Sequence, residues 1–466
     1  RYSANLGDPI ICETVQYQIL EAFPDAEIIF ADISGRSGYI EGSETDDLLK
    51  QGKKSIFKIK LSLKLTKLGF DTEFVRFKKV HKKLEVYIRK ICDQKFDLAR
   101  TSIPLEISLP KGTLLDKDAN YKLSVEVTDI SKWKLGNKLS QEINIIVDTK
   151  RPEIYVVNQS YKITKGGAAT VVFRATDEML KEVYVETNSG KRFEVVPFYK
   201  EGYYTTLVAW PVTEENFRAN VVAKDMAGNE NQTRIRYYLQ DKSYKKSEIA
   251  LKDDFIDGKI TDLVHRYAKN PDEFDGIGKF KFVNETLREQ NEVVVNSATN
   301  KIIEDSLSGF YLERFYPLKG GAAVASYGDH RFYSKDDKPV SESWHLGLDL
   351  ASTAGAEIVS SNDGVVVLAK ENGIYGINII IYHGLGLYSI YAHCTHSAVE
   401  LGDQVKAGDV IGTTGVTGLA FGDHLHFGIN IQGVDVRPEE WMDKKWMEEN
   451  VFQILENSKS VIENKK

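Results

Sequence analysis

Cysteine is nearly absent from this sequence: Cys12, Cys92 and Cys394 are the only three among 466 residues. They form no CxxC pair and no dense spacing, which excludes a disulfide-stapled small scaffold and a structural zinc site closed by thiolates. No run of 18 or more apolar residues occurs, so no stretch reads as a membrane-spanning helix. A basic excess is missing as well. The formal net charge is −7, and a polyanion is normally met by a basic surface, so nucleic acid is set aside as a partner.

What is present is an ordinary folding composition, 42% hydrophobic with 11% aromatic residues, which argues against extended disorder. One hydrophobic core stops growing near about 250 to 300 residues, so a chain of this length divides into three or four domains. The first 50 residues carry a candidate helix, ETVQYQILEAF (13–23), and a candidate strand, EIIFADI (27–33). Phe57, Ile59, Leu61, Leu63 and Leu65 then alternate with Lys58, Lys60, Ser62 and Lys64, the period of a strand buried on one face. The lysine stripe reads as a solvated strand face.

Two later segments read as variants of one unit. YKLSVEVTDI, a GN turn at 136–137 and INIIVDT are echoed by FRANVVAKDM, a GN turn at 228–229 and RIRYYL. Asp129 and Asp225 stand one immunoglobulin-like sandwich length apart, which predicts two tandem β-sandwiches, at 51–150 and 151–242, joined near Pro152. Residues 243–310 change to a helical pattern, in DDFIDGKITDLVHRYAK (253–269) and in a second stretch opening at Asn284, a capping residue type. A helical connector is expected there. Glycine-rich turns and strand patterns resume from Gly320 to about residue 437.

Seven of the nine histidines fall between His330 and His426. Imidazole is the commonest transition-metal ligand at neutral pH. HLGLD sets His345 and Asp349 four apart, YAHC carries His393, and DHLHFGINI carries His424 and His426. In the last of these, Leu425, Phe427, Ile429 and Ile431 alternate with His424, His426, Gly428 and Asn430, so both histidines project from the polar face of a half-buried strand. The same parity argument puts His345 and Asp349 on one side of an extended HLGLD. It also groups Leu387, Ser389, Tyr391 and His393, with Cys394 opposite and buried rather than nucleophilic. Two histidines and a carboxylate, with one position left to water, make a catalytic zinc set. HExxH is missing, which excludes the helical zincin arrangement. Spacing alone does not say which histidines bind the metal.

HLGLD, YAHC and HLHF in this order resemble the lysostaphin and LytM-type zinc endopeptidases of bacterial cell walls, metallopeptidase family 23. VASYGDHR (324–331) and GDQVKAGDVIGTTGVTGLAFGDHLHFG (402–428) extend the resemblance over a quarter to a third of the chain. It implies a LytM-like antiparallel β-sheet peptidase domain at 311–450; with the two sandwiches and connector read upstream and a C-terminal helix or tail at 451–466, the expected whole is a mainly β multidomain protein. It further implies that His345, Asp349 and His426 bind zinc while His393 and His424 act on water and on the developing oxyanion. GLAFGDHLHF departs from the serine, threonine and glycine turn with proline that many members carry, which bears on substrate preference.

The implied substrate is the stem peptides of peptidoglycan, cut at cross-links or at stem-peptide ends. A rival reading is a LytM-like module that activates a separate amidase, but such modules characteristically lack zinc ligands. His330, beside Arg331, is a candidate for substrate contact, whereas His383 and His396 read as packing or surface residues. The chain opens on Arg1 rather than Met, so a removed signal or anchor, export and a periplasmic setting are expected. An unrestrained wall hydrolase is dangerous, so the upstream segments are expected to restrict the groove, with a regulatory protein partner to release it.

Overall fold

A computed structural model describes residues 4–7, 28–31, 59–68, 119–129 and 138–464, and divides the chain into two units, 1–150 and 151–466. The expected helix at 13–23 lies outside the described residues. Within the expected strand at 27–33, Ile28–Ala31 is extended and pairs in parallel with Ala4–Gly7. Ile59–Leu68, Ala119–Asp129 and Lys138–Val147 form a three-stranded antiparallel sheet. The last two are the first of the repeated hairpins.

In the second unit Ala219–Asp225 pairs with Glu230–Arg234, which shares only Arg234 with the expected RIRYYL strand. The turn between them is closed by Asp225, whose carboxylate accepts from the Asn229 backbone N–H and side-chain amide, both at 2.8 Å. Two four-stranded sheets are built here, one from Arg192–Glu194, Leu180–Thr187, Ala219–Asp225 and Glu230–Arg234. The other holds Val196–Pro197, Tyr203–Ala209, Ala168–Thr176 and Glu153–Gln159. Val171, Phe173, Val185, Phe193, Leu207 and Val221, all fully buried, belong to one core with the C-terminal region.

The segment expected as a helical connector is helical over 253–267, as expected, but its second helical run does not open at Asn284. The segment itself opens with a strand, Lys246–Ala250, which pairs in parallel with Asp329–Lys335. Helical stretches follow at Asp253–Phe255, Ile256–Ile260 and Thr261–Tyr267, then at Gly276–Lys281, Phe282–Leu287 and Arg288–Thr299 (α1). Asn284 does not open a helix, because Asp275 already caps this run by accepting from the Gly278 N–H. Asn284 is instead buried and its amide donates to Ser341 Oγ and the Glu342 oxygen.

The C-terminal region is an eight-stranded antiparallel sheet with a small hairpin beside it. Its strands are β1 (Ala322–Ala325), β4 (Leu348–Ala351), β5 (Gly364–Glu371), β6 (Ile377–Tyr382), β7 (Leu387–Cys394), β8 (Gln404–Val405), β9 (Leu425–Ile431) and β10 (Val434–Val436); β2 (Asp329–Lys335) and β3 (Lys338–His345) form the hairpin. The order is β1-β4-β9-β7-β6-β5-β8, and β10 also pairs with β9. One face of this sheet carries Ile379, Ile381, Leu387, Tyr391, Phe427, Ile429 and Ile431 in the large core, with Trp441, Met447 and Val451 and with Leu455 of the helix Gln453–Asn464 (α2).

Alternation predicts a solvated opposite face. Part of it is covered instead: Val295 of α1 packs on Leu368, Ile380, Tyr388 and Ile390, and every residue of β7 is buried. Gln432 ties this region to the upstream sheets, accepting from the Glu194 N–H at 2.7 Å and donating to Thr206 Oγ1 and the Glu194 oxygen at 3.1 Å.

Candidate metal centre

The centre is assembled from the ends and middles of three neighbouring strands. His345 is the last residue of β3, Leu346 and Gly347 turn the chain, and Asp349 follows in β4. HLGLD is therefore two strands joined by a bend rather than one extended strand. Asp349 pairs directly with His426 across β4 and β9, and directly paired residues project to the same face. His345 Nε2, His426 Nδ1 and Asp349 Oδ1 form a triangle with edges of 2.9, 2.9 and 3.2 Å.

With a neutral His345 ring, hydrogen bonding alone does not account for this triangle. His345 Nδ1 lies 2.9 Å from the Ser326 main-chain oxygen, which can only accept, so Nδ1 holds the proton of the neutral ring. Its Nε2 then turns a lone pair toward an ionised carboxylate and a second ring nitrogen. Three electron-rich atoms at such distances are stable around a cation. Ligands at about 2.0 to 2.1 Å in a tetrahedral zinc site stand roughly 3.3 Å apart, so the donor set, two imidazoles and one carboxylate, fits zinc with a position left open. Burial opposes ionisation of Asp349, but hydrogen bonds and positive charge from His345 and His426, when these rings are protonated, hold its carboxyl well below the usual range. Burial also lowers the pKa of His426, which favours the neutral, ligating form.

His424 lies just before β9 on the His426 side. Its Nδ1 donates to the Gly422 oxygen at 2.7 Å, and its Nε2 stands 3.7 Å from Asp349 Oδ1. His393 reaches the site by a route that parity does not predict. Tyr391 pairs with Phe427 and Ala392 with His426, so regular alternation would send His393 into the core with Tyr391. The expected grouping of His393 with Leu387 and Tyr391 is thus corrected. His393 adopts φ 63°, in the left-handed region, and the register shifts between Ile377 and Ile379 on the facing strand.

Such a bulge re-aims a side chain at a cost of about 1 to 2 kcal/mol for a non-glycine residue. Thr417 secures it: its oxygen accepts from His393 Nδ1 at 2.9 Å, and its hydroxyl donates to the Cys394 oxygen while accepting from the Ile377 N–H. The His393 ring comes to lie 4.8 Å from that of His424 and 5.8 Å from that of His426. Burial, with the neighbouring His426 and His424, lowers its pKa to about 3. Neutral His393 is therefore a free-lone-pair acceptor at Nε2. The bulge also returns Cys394 to the core side, where burial pushes its thiol up to about 12.

The remaining histidines stand apart. His330 stacks on Trp344 with ring centres 4.1 Å apart and meets Glu342 at 3.2 Å, outside the cluster. His383 is buried, donating Nδ1–H to the Asp363 oxygen and accepting at Nε2 from Ser389. His396 is exposed.

Two contributors escaped the sequence reading. Gly347 leaves room for His426, since a Cβ there would lie 2.4 Å from its Nε2. A glycine between a candidate histidine and aspartate was the available signal. Tyr375 sets its ring edge-on to His426 at 6.2 Å, on a turn held by Asn291 of α1, whose Oδ1 accepts from the Ile374 N–H at 2.8 Å. The flanking Gly373 and Gly376, both at positive φ, marked that turn but not its neighbour.

Known proteins are similar to part of this chain. Over 102 residues the chain is 36% identical to the DD-carboxypeptidase/endopeptidase Mpg of Neisseria meningitidis serogroup B, covering 22% of this chain and 24% of that protein. It is 33% identical over 98 residues to the murein hydrolase activator EnvC of Escherichia coli, covering 21% and 23%. The likeness thus spans about a quarter of these relatives' length. Among solved structures, the catalytic domain of the antimicrobial peptidase lysostaphin from Staphylococcus simulans is 25% identical, with a TM-score of 0.23, covering 27% of this chain and 93% of that chain. Residues 343–438, which carry all five residues of the cluster, match the model of peptidase family M23.

Proposed function

We propose that this protein is a zinc metallopeptidase that hydrolyses peptide bonds of peptidoglycan, with an endopeptidase action on cross-links as the leading form. The observation that carries this reading is the triangle of His345, Asp349 and His426, whose neutral rings turn lone pairs to a point that a bound cation reconciles. Zinc held there would supply a water acidified to a pKa near about 7 and a Lewis acid toward the scissile carbonyl. The chain's own residues do the rest.

His393 and His424 each commit Nδ1 to a main-chain carbonyl, so each presents Nε2 beside the triangle. One takes the proton from water and later returns it to the leaving amine, and the other, when protonated, donates to the developing oxyanion. Catalysis is assigned to residues 311–450, with 151–242 and 243–310 as sandwich and connector. A substrate in the cell wall places the protein outside the cytoplasmic membrane, in the periplasm.

The 33% likeness to EnvC supports a second reading, a module that activates a separate hydrolase. Mass spectrometry of purified cross-linked muropeptides incubated with the chain separates the two. Cleavage that stops on chelation and returns with zinc supports the peptidase. Intact muropeptides, together with faster wall digestion by an added amidase, would replace it with the activator.

A further inference from the structure

The hairpin of β2 and β3 has two faces, and the metal ligand His345 lies on one of them. The sequence points to His330 for substrate contact, but His330 pairs with Trp344 and stacks on that ring, on the face opposite His345. Its neighbour is placed differently. Asp329 pairs directly with His345 and Arg331 with Ser343, and paired residues project to one face. Arg331 therefore shares the face of His345.

The Arg331 guanidinium is seated without being used up. Its Nε lies 3.4 Å from Asp329 Oδ2, and buried Asp329 is fixed in turn by the Ser247 hydroxyl at 2.8 and 3.0 Å. This contact draws the head group back along β2 toward the His345 end. Among the described residues no other bond engages it, and the side chain is 25% exposed. Nη1 and Nη2 thus stay open, and this two-nitrogen edge is the one that matches a carboxylate.

Position says which carboxylate. Arg331 stands two residues beyond Asp329, about 6 to 7 Å along the strand, a distance that an extended peptide covers in about two residues. Further along, the helical segment closes the same face: Asn284 donates to Ser341 Oγ, and Phe280 meets Tyr333 with ring centres 4.9 Å apart. A peptide running this way from the metal meets that wall within a residue or two. Such a short stretch suits a chain end or a branch, and Arg331 supplies the positive charge for its carboxylate.

We propose that Arg331 binds a free carboxylate on the residue that carries the leaving amine. The proposal rests on the peptidase reading and narrows its substrates. A stem-peptide end has such a carboxylate, as does a cross-link built on an amine whose own carbon keeps a free carboxyl; an internal glycine bridge has none.

The test uses N-acetyl-D-alanyl-D-alanine, its carboxamide, and the ketomethylene analogue of each, which cannot be hydrolysed. In calorimetry on the zinc-loaded full chain, the acid analogue should bind about 10- to 100-fold more tightly than the amide, the range of a charge-assisted bidentate contact. The two cleavable peptides should differ in kcat/KM in the same sense. In Arg331→Gln both ratios should fall to near one, and in Arg331→Lys, which keeps the charge without the fork, to an intermediate value. Equal affinity of the natural chain for acid and amide, or a preference that Arg331→Gln keeps, would overturn the proposal. An arginine serving the oxyanion or the fold would give that second result, weakening acid and amide alike. Acid preference in binding with neither peptide cleaved would sustain the carboxylate site and remove the peptidase reading alone.

Discussion

His345 donates its Nδ1 proton to the Ser326 oxygen at 2.9 Å and meets Asp349 Oδ1 with Nε2 at the same distance. The first contact fixes the tautomer that makes the second a metal-ligand geometry. Neither residue would be stable in this arrangement without a cation or a second proton on the ring.

One zinc per chain is therefore expected, and its binding should stabilise the fold by about 4 kcal/mol when zinc exceeds its dissociation constant a thousandfold. Elemental analysis and thermal melting with and without chelator check this. His345→Ala and Asp349→Ala should lose the metal and melt at the same temperature with or without chelator.

His393→Ala and His424→Ala should keep stoichiometric zinc and lose about 10² to 10⁴ in kcat on cross-linked muropeptides. Their rings neighbour the ligands without sharing the triangle. Loss of metal from either variant would move that residue into the ligand set.

Gly347→Ala tests how tightly the first ligands are seated. The added methyl would lie 2.4 Å from His426 Nε2 and 2.9 Å from the Phe427 oxygen, and backbone cannot yield. Zinc affinity measured by chelator competition should fall about 10- to 100-fold, the usual cost of disturbing a ligand's support. Gly422→Ala meets open space and should bind zinc normally.

The sequence showed the face of β9 because its apolar residues alternate without interruption, and that face carries His424 and His426. It did not show that Asp349 stands opposite His426, since register between strands far apart in sequence has no local signal. Nor did it show how His393 arrives. Its left-handed backbone depends on Thr417, 24 residues away, and strict alternation exchanged the faces of His393 and Cys394, although Cys394 is buried as expected. Asn284 reads as a cap by residue type, whereas its role as a tether to Ser341 appears only once the helices fold across β3. The helix α1 was legible as a helix but not as the cover of β7.

His383 gives a pH signature separable from catalysis. Burial lowers its pKa from 6.5 to about 4. The unfolded chain therefore binds more protons between these values, and the buried neutral ring's contribution, complete above pH 6.5, is lost as pH falls through 4. The loss is on the order of 3 kcal/mol. Asp435 and Glu440, raised by burial to about 7, act in the opposite sense, losing stability as pH rises. Urea unfolding of the natural chain and of His383→Gln should isolate the histidine: the gap between them narrows from pH 6.5 to 4, and a constant gap would mean that the ring is not held neutral.

The last prediction concerns access. The helical segment grips both sides of the centre, through Asn284 on β3 and Asn291 on the Tyr375 turn. On the loop that carries Thr417 it holds less firmly. Lys259 donates to the Val416 oxygen at 2.6 Å, and Phe255 meets Phe421, which stays 80% exposed, with ring centres 4.6 Å apart. A cover that opens must cost only a few kcal/mol to displace, and one exposed ring contact with one lysine bond is of that order. Removing both in Phe421→Ala/Lys259→Ala should raise turnover of cross-linked muropeptides severalfold at equal zinc content, with the larger effect on bulkier substrates. These changes leave Gln432 and its buried partners Glu194 and Thr206 in place, as truncation at residue 311 would not. Unchanged or slower turnover with intact zinc would assign the segment to support of the Tyr375 turn rather than to restriction of the groove.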